Sequence, residues 1–182
     1  MTLVVNSTPM SPANNSYASL ADSDEYVSTR VADVTVRTAW DGLDPELKGA
    51  YLVNASRTLD SLCNWIGDKY SRDQGLKWPR VNAYVDGYIV DQITFPRPVV
   101  EATIEMAAWS MTNSGDVAVS SNAQFDSIKV GPIAIDFNEG SGIAANAYFP
   151  DIVAILLRDY GGIQAPELPS NTMLKQARLV RA

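Results

Sequence analysis

The sequence contains no histidine and only one cysteine, Cys63, among its 182 residues. Without histidine it lacks the commonest general base and metal ligand, and no Ser–His or Cys–His nucleophile pair can form. A single cysteine excludes an internal disulfide and a thiolate zinc cluster. We therefore predict no catalytic, metal-binding or cofactor-binding residues, and expect a protein that is not an enzyme.

Positive charge is also scarce. The 14 lysines and arginines are outnumbered by 21 acidic residues, which gives a formal net charge of −7. Sequence-independent binding to nucleic acids depends on cations that release counterions from phosphates, so this balance disfavours it. An acidic surface would instead suit a wall along which DNA slides without sticking.

Long hydrophobic runs are absent, and none approaches the roughly 20 residues of a membrane span. Residues 1–15 carry no charged side chain, so the basic start of a signal peptide is missing and we expect a reducing compartment. Hydrophobic residues nevertheless make up 46% of the chain, enough for a core. We predict a flexible N-terminal arm (1–15), one domain (16–162) and an extended linker with a C-terminal segment (163–182).

Four helices are predicted from caps and apolar spacing. The first begins after Ser19 and runs to about Arg30, and the second begins at Asp44-Pro45 and runs to Gly67. The third opens near Pro96 or Pro98 and ends at residues 113–115, and the last covers residues 151–160 and stops at Gly161-Gly162. Alternating apolar residues around Gly131-Pro132 predict a β insertion at residues 117–140. The predicted fold class is mainly α, a small helical bundle with a β-hairpin or short-strand insertion.

The segment Gln74-Gly75-Leu76-Lys77-Trp78-Pro79-Arg80 lies in a long loop and joins a large aromatic, a rigid proline and an arginine. Pro79 fixes its own φ and biases Trp78 toward an extended conformation. Two interpretations stay open: a peg that docks on another molecule, or a loop whose tryptophan caps its own core. Both hold if Trp78 points inward and Arg80 outward, with Trp78, Pro79 and Arg80 anchoring the loop or contacting a neighbouring subunit.

The C-terminal residues 173–182 differ from the rest of the chain. Lys175, Arg178 and Arg181 occur there without an acid, and Met173 and Val180 recur at helical spacing. Such a basic, amphipathic segment could bind nucleic acid or fold into a protein groove. A phosphate backbone offers the interleaved apolar residues no apolar surface, so these residues favour binding in a protein groove.

Several short motifs, taken in order, are similar to one known family. They are Ser16-Tyr17 through Asp22 to Tyr26, Gln74-x-Leu76-x-Trp78-Pro79-Arg80, the turn Asp86-Gly87, Pro96-x-x-Val99-x-x-Ala102-x-x-Glu105-x-Ala107, and Lys129-Val130-Gly131-Pro132. Together they span roughly residues 16–160. The sequence resembles tailed-phage head-to-tail connector proteins, also called adaptors or head-completion proteins. Members of this family are often labelled DnaT-like single-stranded-DNA-binding proteins.

The resemblance implies a structural role in a virion assembled from proteins made in the host cytoplasm. Its expected partners are the portal protein, a tail tube or nozzle protein, and further copies of itself in a ring, dodecameric like the portal. Genomic DNA would pass through the channel without specific binding, and neither cofactor nor membrane is implied. The alternative is a single-stranded-DNA-binding module of the primosomal DnaT-like kind. The resemblance further implies that the C-terminal segment docks into the portal, through Met173, Leu174, Lys175, Ala177, Arg178, Val180 and Arg181.

Overall fold

The computed structural model describes residues 3–113, 127–130, 133–136 and 150–163. The helices in these ranges are α1 (Leu20–Arg30), α2 (Val34–Asp41), α3 (Pro45–Leu62), α4 (Arg97–Thr112) and α5 (Asp151–Leu157). The strands are β1 (Cys63–Trp65), β2 (Asp68–Lys69), β3 (Arg80–Val81), β4 (Tyr84–Val85), β5 (Tyr88–Ile89), β6 (Ser127–Val130), β7 (Ile133–Asp136) and β8 (Gly161–Ile163). The predicted fold class, mainly α with short-strand insertions, is confirmed.

Each strand pairs with one partner in an antiparallel two-stranded ladder. The pairs are β1 with β8, β2 with β3, β4 with β5, and β6 with β7. The β6–β7 pair lies within the insertion predicted from the sequence, and the rest of residues 117–140 lies outside the described residues. The other three ladders all involve the stretch between α3 and α4, so this long connection is more structured than its sequence predicted.

The predicted helix starts are confirmed by their caps. At α1, Ser19 accepts a hydrogen bond from the Asp22 N–H while the Asp22 carboxylate accepts from the Ser19 N–H, a reciprocal capping box. At α3, Asp44 accepts from the Leu47 N–H and Pro45 occupies the first turn. Helix α4 follows Pro96, as predicted, and ends before Asn113.

Several details of the prediction were wrong, and helix α5 also ends earlier than predicted, at Leu157 instead of residue 160. Helix α2, capped by Asp33, was not predicted, because its eight residues are few and its β-branched start lowers the helical signal. Helix α3 ends at Leu62 instead of Gly67, because the next three residues pair with β8. Gly161, predicted only to stop a helix, lies in that ladder, where a Cβ would sit 2.6 Å from the Asn64 carbonyl oxygen.

Helix α4 forms the centre of the fold and packs against α3 on one side and α5 on another. Its buried face includes Val99, Ile104 and Met106. Small residues on the same helix, such as Ala102 and Ala107, are also buried and allow the neighbouring helices to approach closely. No helix among the described residues is long and apolar enough to cross a bilayer.

The first described residues of the arm, Leu3 and Val5, lie against helix α3, and Ser11 and Asn14 lie against Gly75 of the long loop. Near the first turns of α3, a Cβ placed on Gly49 would lie 2.7 Å from the Val5 side chain, so the arm is seated directly on the helix. Asn15 holds the arm in a loop by accepting from the Asn6 N–H and donating to the Val4 carbonyl. These residues were predicted to form a flexible arm. The division into arm, domain and tail stays a prediction, and residues 164–182 lie outside the described residues.

Candidate interaction surface between α3 and α4

Gln74 organises the segment that the sequence singled out. Its side chain is buried, accepts a hydrogen bond from the Ser71 N–H at 2.8 Å, and donates to the carbonyls of Leu76 (2.9 Å) and Pro79 (3.0 Å). The Gln74 amide thus forms hydrogen bonds with the backbone of Ser71, Leu76 and Pro79, in a loop whose residues are not paired as strands. The glutamine of the motif is therefore a structural brace.

Gly75 is needed because the arm passes directly over it. The Gly75 N–H donates to the Ser11 carbonyl at 3.1 Å, and a Cβ at this position would stand only 2.1 Å from the Asn14 carbonyl oxygen. A backbone atom cannot move aside as a side-chain end can, so any other residue would push the arm away. Gly75 therefore joins the long loop to the N-terminal arm.

Trp78 is fully buried in an aromatic cluster. Its ring meets Trp65 and Tyr160 edge-to-face at 5.9 Å in both cases, and Tyr17 meets Trp65 in the same manner at 6.4 Å. Edge-to-face pairs place the positive ring edge against the negative face of the neighbour. These ring contacts anchor the loop to the helical core. The peptide bond between Trp78 and Pro79 is cis.

A carboxylate at the end of α3 holds the same loop. Asp60 accepts hydrogen bonds from the Tyr17 hydroxyl, from Trp65 Nε1 at 3.1 Å and from the Lys77 N–H at 3.0 Å. The Tyr17 oxygen in turn accepts from the N–H groups of Lys77 and Trp78 at 3.2 and 3.3 Å. Burial raises the pKa of Asp60 although these donors lower it, and burial followed by the Asp60 charge raises the pKa of Tyr17 well above its usual value. The network holds the loop through the hydrogen bonds of Asp60 and Tyr17.

The Arg80 side chain forms hydrogen bonds to backbone carbonyls of its own chain. Its guanidinium donates to the carbonyls of Ile66 (2.6 Å), Gly67 and Trp65, and also to that of Lys77 at 3.3 Å. Its planar fork is suited to collecting several carbonyls that no strand partner satisfies. The outward orientation and subunit contact predicted for Arg80 stay a prediction, but most of its donors already have partners in the chain.

The next element along the chain is a hairpin that projects its side chains outward. Strands β4 and β5 pair Tyr84 with Ile89 and Val85 with Tyr88, leaving Asp86-Gly87 as a two-residue turn. Both turn residues have positive φ, 52° and 82°, which is the type I′ conformation favoured by Asp-Gly. The turn predicted at this dipeptide is confirmed, and we call residues 84–89 the tyrosine hairpin.

The tyrosine hairpin exposes apolar side chains on both of its faces. Tyr88 is 79% exposed, Tyr84 59% and Ile89 53%, and Ile93, just beyond, is 55% exposed. Because successive side chains alternate across a strand, Tyr84 and Ile89 share one face while Tyr88 lies on the other. An isolated two-stranded hairpin gains little stability in water, and exposed apolar clusters of this kind mark interaction sites.

Acidic groups accompany this hairpin. Asp86 lies at its tip and Asp91 follows it, where the N–H of Ile93 and the hydroxyl of Thr94 hold the pKa of Asp91 below its usual value. No cluster of three or more potential metal ligands occurs in the described part of the chain. The hairpin therefore combines aromatic rings with negative charge.

The exposed aromatic groups of this loop lie outside the segment that the sequence analysis singled out. Trp78 is buried and Arg80 is partly enclosed, whereas the hairpin four residues later carries the exposed aromatic groups. The Asp-Gly dipeptide between Tyr-Val and Tyr-Ile was the available signal for it. The seven residues predicted to dock into a portal all lie in 164–182, outside the described residues.

Comparison with known proteins gives one result. Neither the curated proteins nor the solved structures include a match to this chain. A family model does match it over residues 1–181, which is nearly its whole length. The chain therefore belongs to the family described as "Putative DnaT-like ssDNA binding protein".

Proposed function

We propose that this chain is a structural assembly protein, specifically a head-to-tail adaptor that joins a phage portal to the tail. The observation that carries the proposal is the tyrosine hairpin: exposed apolar rings beside carboxylates rather than cations. A surface of this chemistry fits a protein partner, whereas a strand of phosphates requires nearby positive charge.

The distribution of cations supports the same proposal. Ten lysines and arginines lie in residues 3–113 and 150–163, and seven of them have partners within the chain. Four are in ion pairs (Arg30, Lys48, Arg97, Arg158) and three donate to backbone carbonyls (Lys69, Lys77, Arg80). The other three, Arg37, Arg57 and Arg72, have no such partner among the described residues and lie on three separate elements.

In this proposal the protomers form a ring beneath the portal, and the C-terminal segment at residues 173–182 tethers each of them to it. Repeated weak tethers in a ring combine through effective concentration. The tail tube or nozzle protein would bind the opposite side, and DNA would pass an acidic wall. The virion is the corresponding location, and no catalytic step is required.

Single-stranded-DNA binding is the second candidate, and the family description favours it directly because it names that ligand. The three exposed tyrosines Tyr70, Tyr84 and Tyr88 could act as a stacking platform for bases. Against this candidate stand the net charge of −7 and the internal use of most described cations.

One experiment separates the two candidates. The purified chain is mixed with the portal ring of the phage from which it comes, and the mass of the complex is measured by native mass spectrometry. In parallel, binding to a fluorescent oligo(dT) is followed by anisotropy at about 150 mM salt, where phosphate-driven binding is already weakened. We expect a large ring complex and no anisotropy change. Tight oligo(dT) binding without portal binding would instead establish the second candidate.

The tether is tested by deleting residues 170–182. Portal binding should be lost while circular dichroism retains the helical signal, because the described core ends at residue 163. The triple variant Lys175→Glu, Arg178→Glu, Arg181→Glu keeps the full chain length and should also lose portal binding, because it reverses the charges of the proposed docking segment. A deletion variant that still joined the portal normally would refute the role given to this segment.

A further inference from the structure

The same chain also carries an apolar groove, at a distance from the tyrosine hairpin. An open groove of about 400 Å³ is lined by Leu3, Val5, Leu20, Asp44, Pro45 and Glu46, and we call it the arm groove. Beside it, Val4 is 72% exposed and Leu47 is 43% exposed. The chain thus carries one convex and one concave apolar patch, and such exposed patches mark interaction sites.

The two patches lie at opposite ends of helix α3. The arm groove uses the residues of its first turn, and the arm is seated on Gly49. The base of the tyrosine hairpin lies beyond the other end, where a Cβ on Gly67 would be 2.9 Å from the Ala83 nitrogen. Helix α3 has 18 residues, so at 1.5 Å per residue the patches are separated by ~27 Å. The hairpin of one chain therefore cannot fill the groove of the same chain.

We propose that the tyrosine hairpin of one copy seats in the arm groove of the next copy. The inference rests on the proposed function and names the surfaces that would join its subunits. Because the two patches are different and lie at opposite ends, the contact is heterologous, and repeated heterologous contacts close into a ring when the rotation divides the circle.

The hairpin supplies part of the area that such a contact needs. Tyr84 and Tyr88 are 59% and 79% exposed, and at ~150–250 Å² per fully buried ring they offer ~200–350 Å² together. Ile89 and Ile93 add to this surface. A stable interface buries ~800 Å² on each partner, so the two tyrosines supply roughly a quarter to two-fifths of one side, and the residues around the hairpin supply the rest.

Charge makes the inference distinguishable from DNA binding. The hairpin carries Asp86 and Asp91, and the groove is lined by Asp44 and Glu46, so two copies bring like charges together. Salt screens this repulsion, and self-association should strengthen as salt rises from about 0.05 to 0.5 M. Binding to single-stranded DNA changes in the opposite direction, because it depends on counterion release.

The test is cross-linking between engineered cysteines. Val4→Cys marks the groove and Ile89→Cys marks the hairpin, leaving both hairpin tyrosines in place, while the native Cys63 is buried. A short bismaleimide should convert the double variant into a ladder of covalent dimers, trimers and larger species. Each single variant should stay largely uncrosslinked. The matched control pairs Val4→Cys with Ile155→Cys, which is 62% exposed on α5, and should give no ladder.

The outcomes separate this inference from the function on which it rests. If the wild-type chain forms multimers or joins the portal but the double variant gives no ladder, the hairpin-to-groove contact is wrong and the adaptor proposal stands. Efficient dimers from Ile89→Cys alone would mean a symmetric contact and would also overturn it. If the wild-type chain stays monomeric both alone and with the portal, the adaptor proposal itself is refuted.

Discussion

The strongest structural prediction concerns Asp60, which ties the long loop to the end of helix α3. Replacing it with alanine removes the acceptor of three donors: the Tyr17 hydroxyl, Trp65 Nε1 and the Lys77 N–H. Tyr17 and Trp65 belong to the aromatic cluster, where water replaces the lost carboxylate poorly, whereas the Lys77 N–H is exposed and keeps the Tyr17 oxygen as a second acceptor. We therefore expect the loop to loosen and the whole domain to lose stability.

The magnitude follows from the hydrogen bonds. Each buried donor left without an acceptor costs ~1–3 kcal/mol. Burial raises the pKa of Asp60, which means that its charged form is destabilised in the folded protein. Alanine removes this desolvation cost, and the gain offsets part of the loss. We expect Asp60→Ala to lower the free energy of unfolding by ~3 kcal/mol, against a usual total of ~5–15 kcal/mol. Asp60→Asn keeps one carbonyl acceptor and should cost ~1–2 kcal/mol.

Urea denaturation followed by tryptophan fluorescence measures the effect, because Trp65 and Trp78 lie in the cluster. Asp73→Ala is the matched control: it removes an exposed carboxylate from the same loop, and its effect should stay within ~0.5 kcal/mol. If Asp60→Ala lost less than ~1 kcal/mol, or no more than the control, the network would not hold the loop as described.

Three further predictions concern neighbouring residues. Gly75→Ala places a Cβ against the Asn14 carbonyl and should cost ~1–3 kcal/mol in urea denaturation, and an unchanged midpoint would contradict the close approach. Arg80→Lys leaves some of the four carbonyls without a donor and should cost ~1–2 kcal/mol without changing oligomeric mass; weakened assembly at unchanged stability would show that Arg80 serves a partner. Burial raises the pKa of the Cys63 thiol from 9.0 to about 12, so its contribution to stability is present below pH 9 and lost as pH rises toward 12. The wild type should lose ~2 kcal/mol more than Cys63→Ala between pH 8 and 10.5, and equal losses in parallel urea titrations would refute this.

Local signals in the sequence were enough to predict four of the five helices in the described residues. Ser19 with Asp22, and Asp44 with Pro45, predicted two helix starts because caps satisfy backbone groups within a few residues. Asp86-Gly87 predicted its turn because positive φ at both positions is a property of the residues themselves. The scarcity of cations and the absence of histidine likewise narrowed the classes of function before any fold was considered.

Only the tertiary structure decided which residues of the long loop are buried and which are exposed. Trp78 lies in the core because Trp65 and Tyr160 pack against its ring and Tyr17 packs against Trp65. Tyr17 and Tyr160 come to this cluster from distant parts of the chain. Helix α3 stops at Leu62 because strand β8, almost 100 residues later, takes the following residues into a ladder. Long-range contacts of this kind leave no periodic signal in the sequence. In the described part of the chain the tertiary structure also leaves Tyr84, Tyr88 and Ile89 largely exposed, which is why the proposed function uses them as the surface offered to another molecule.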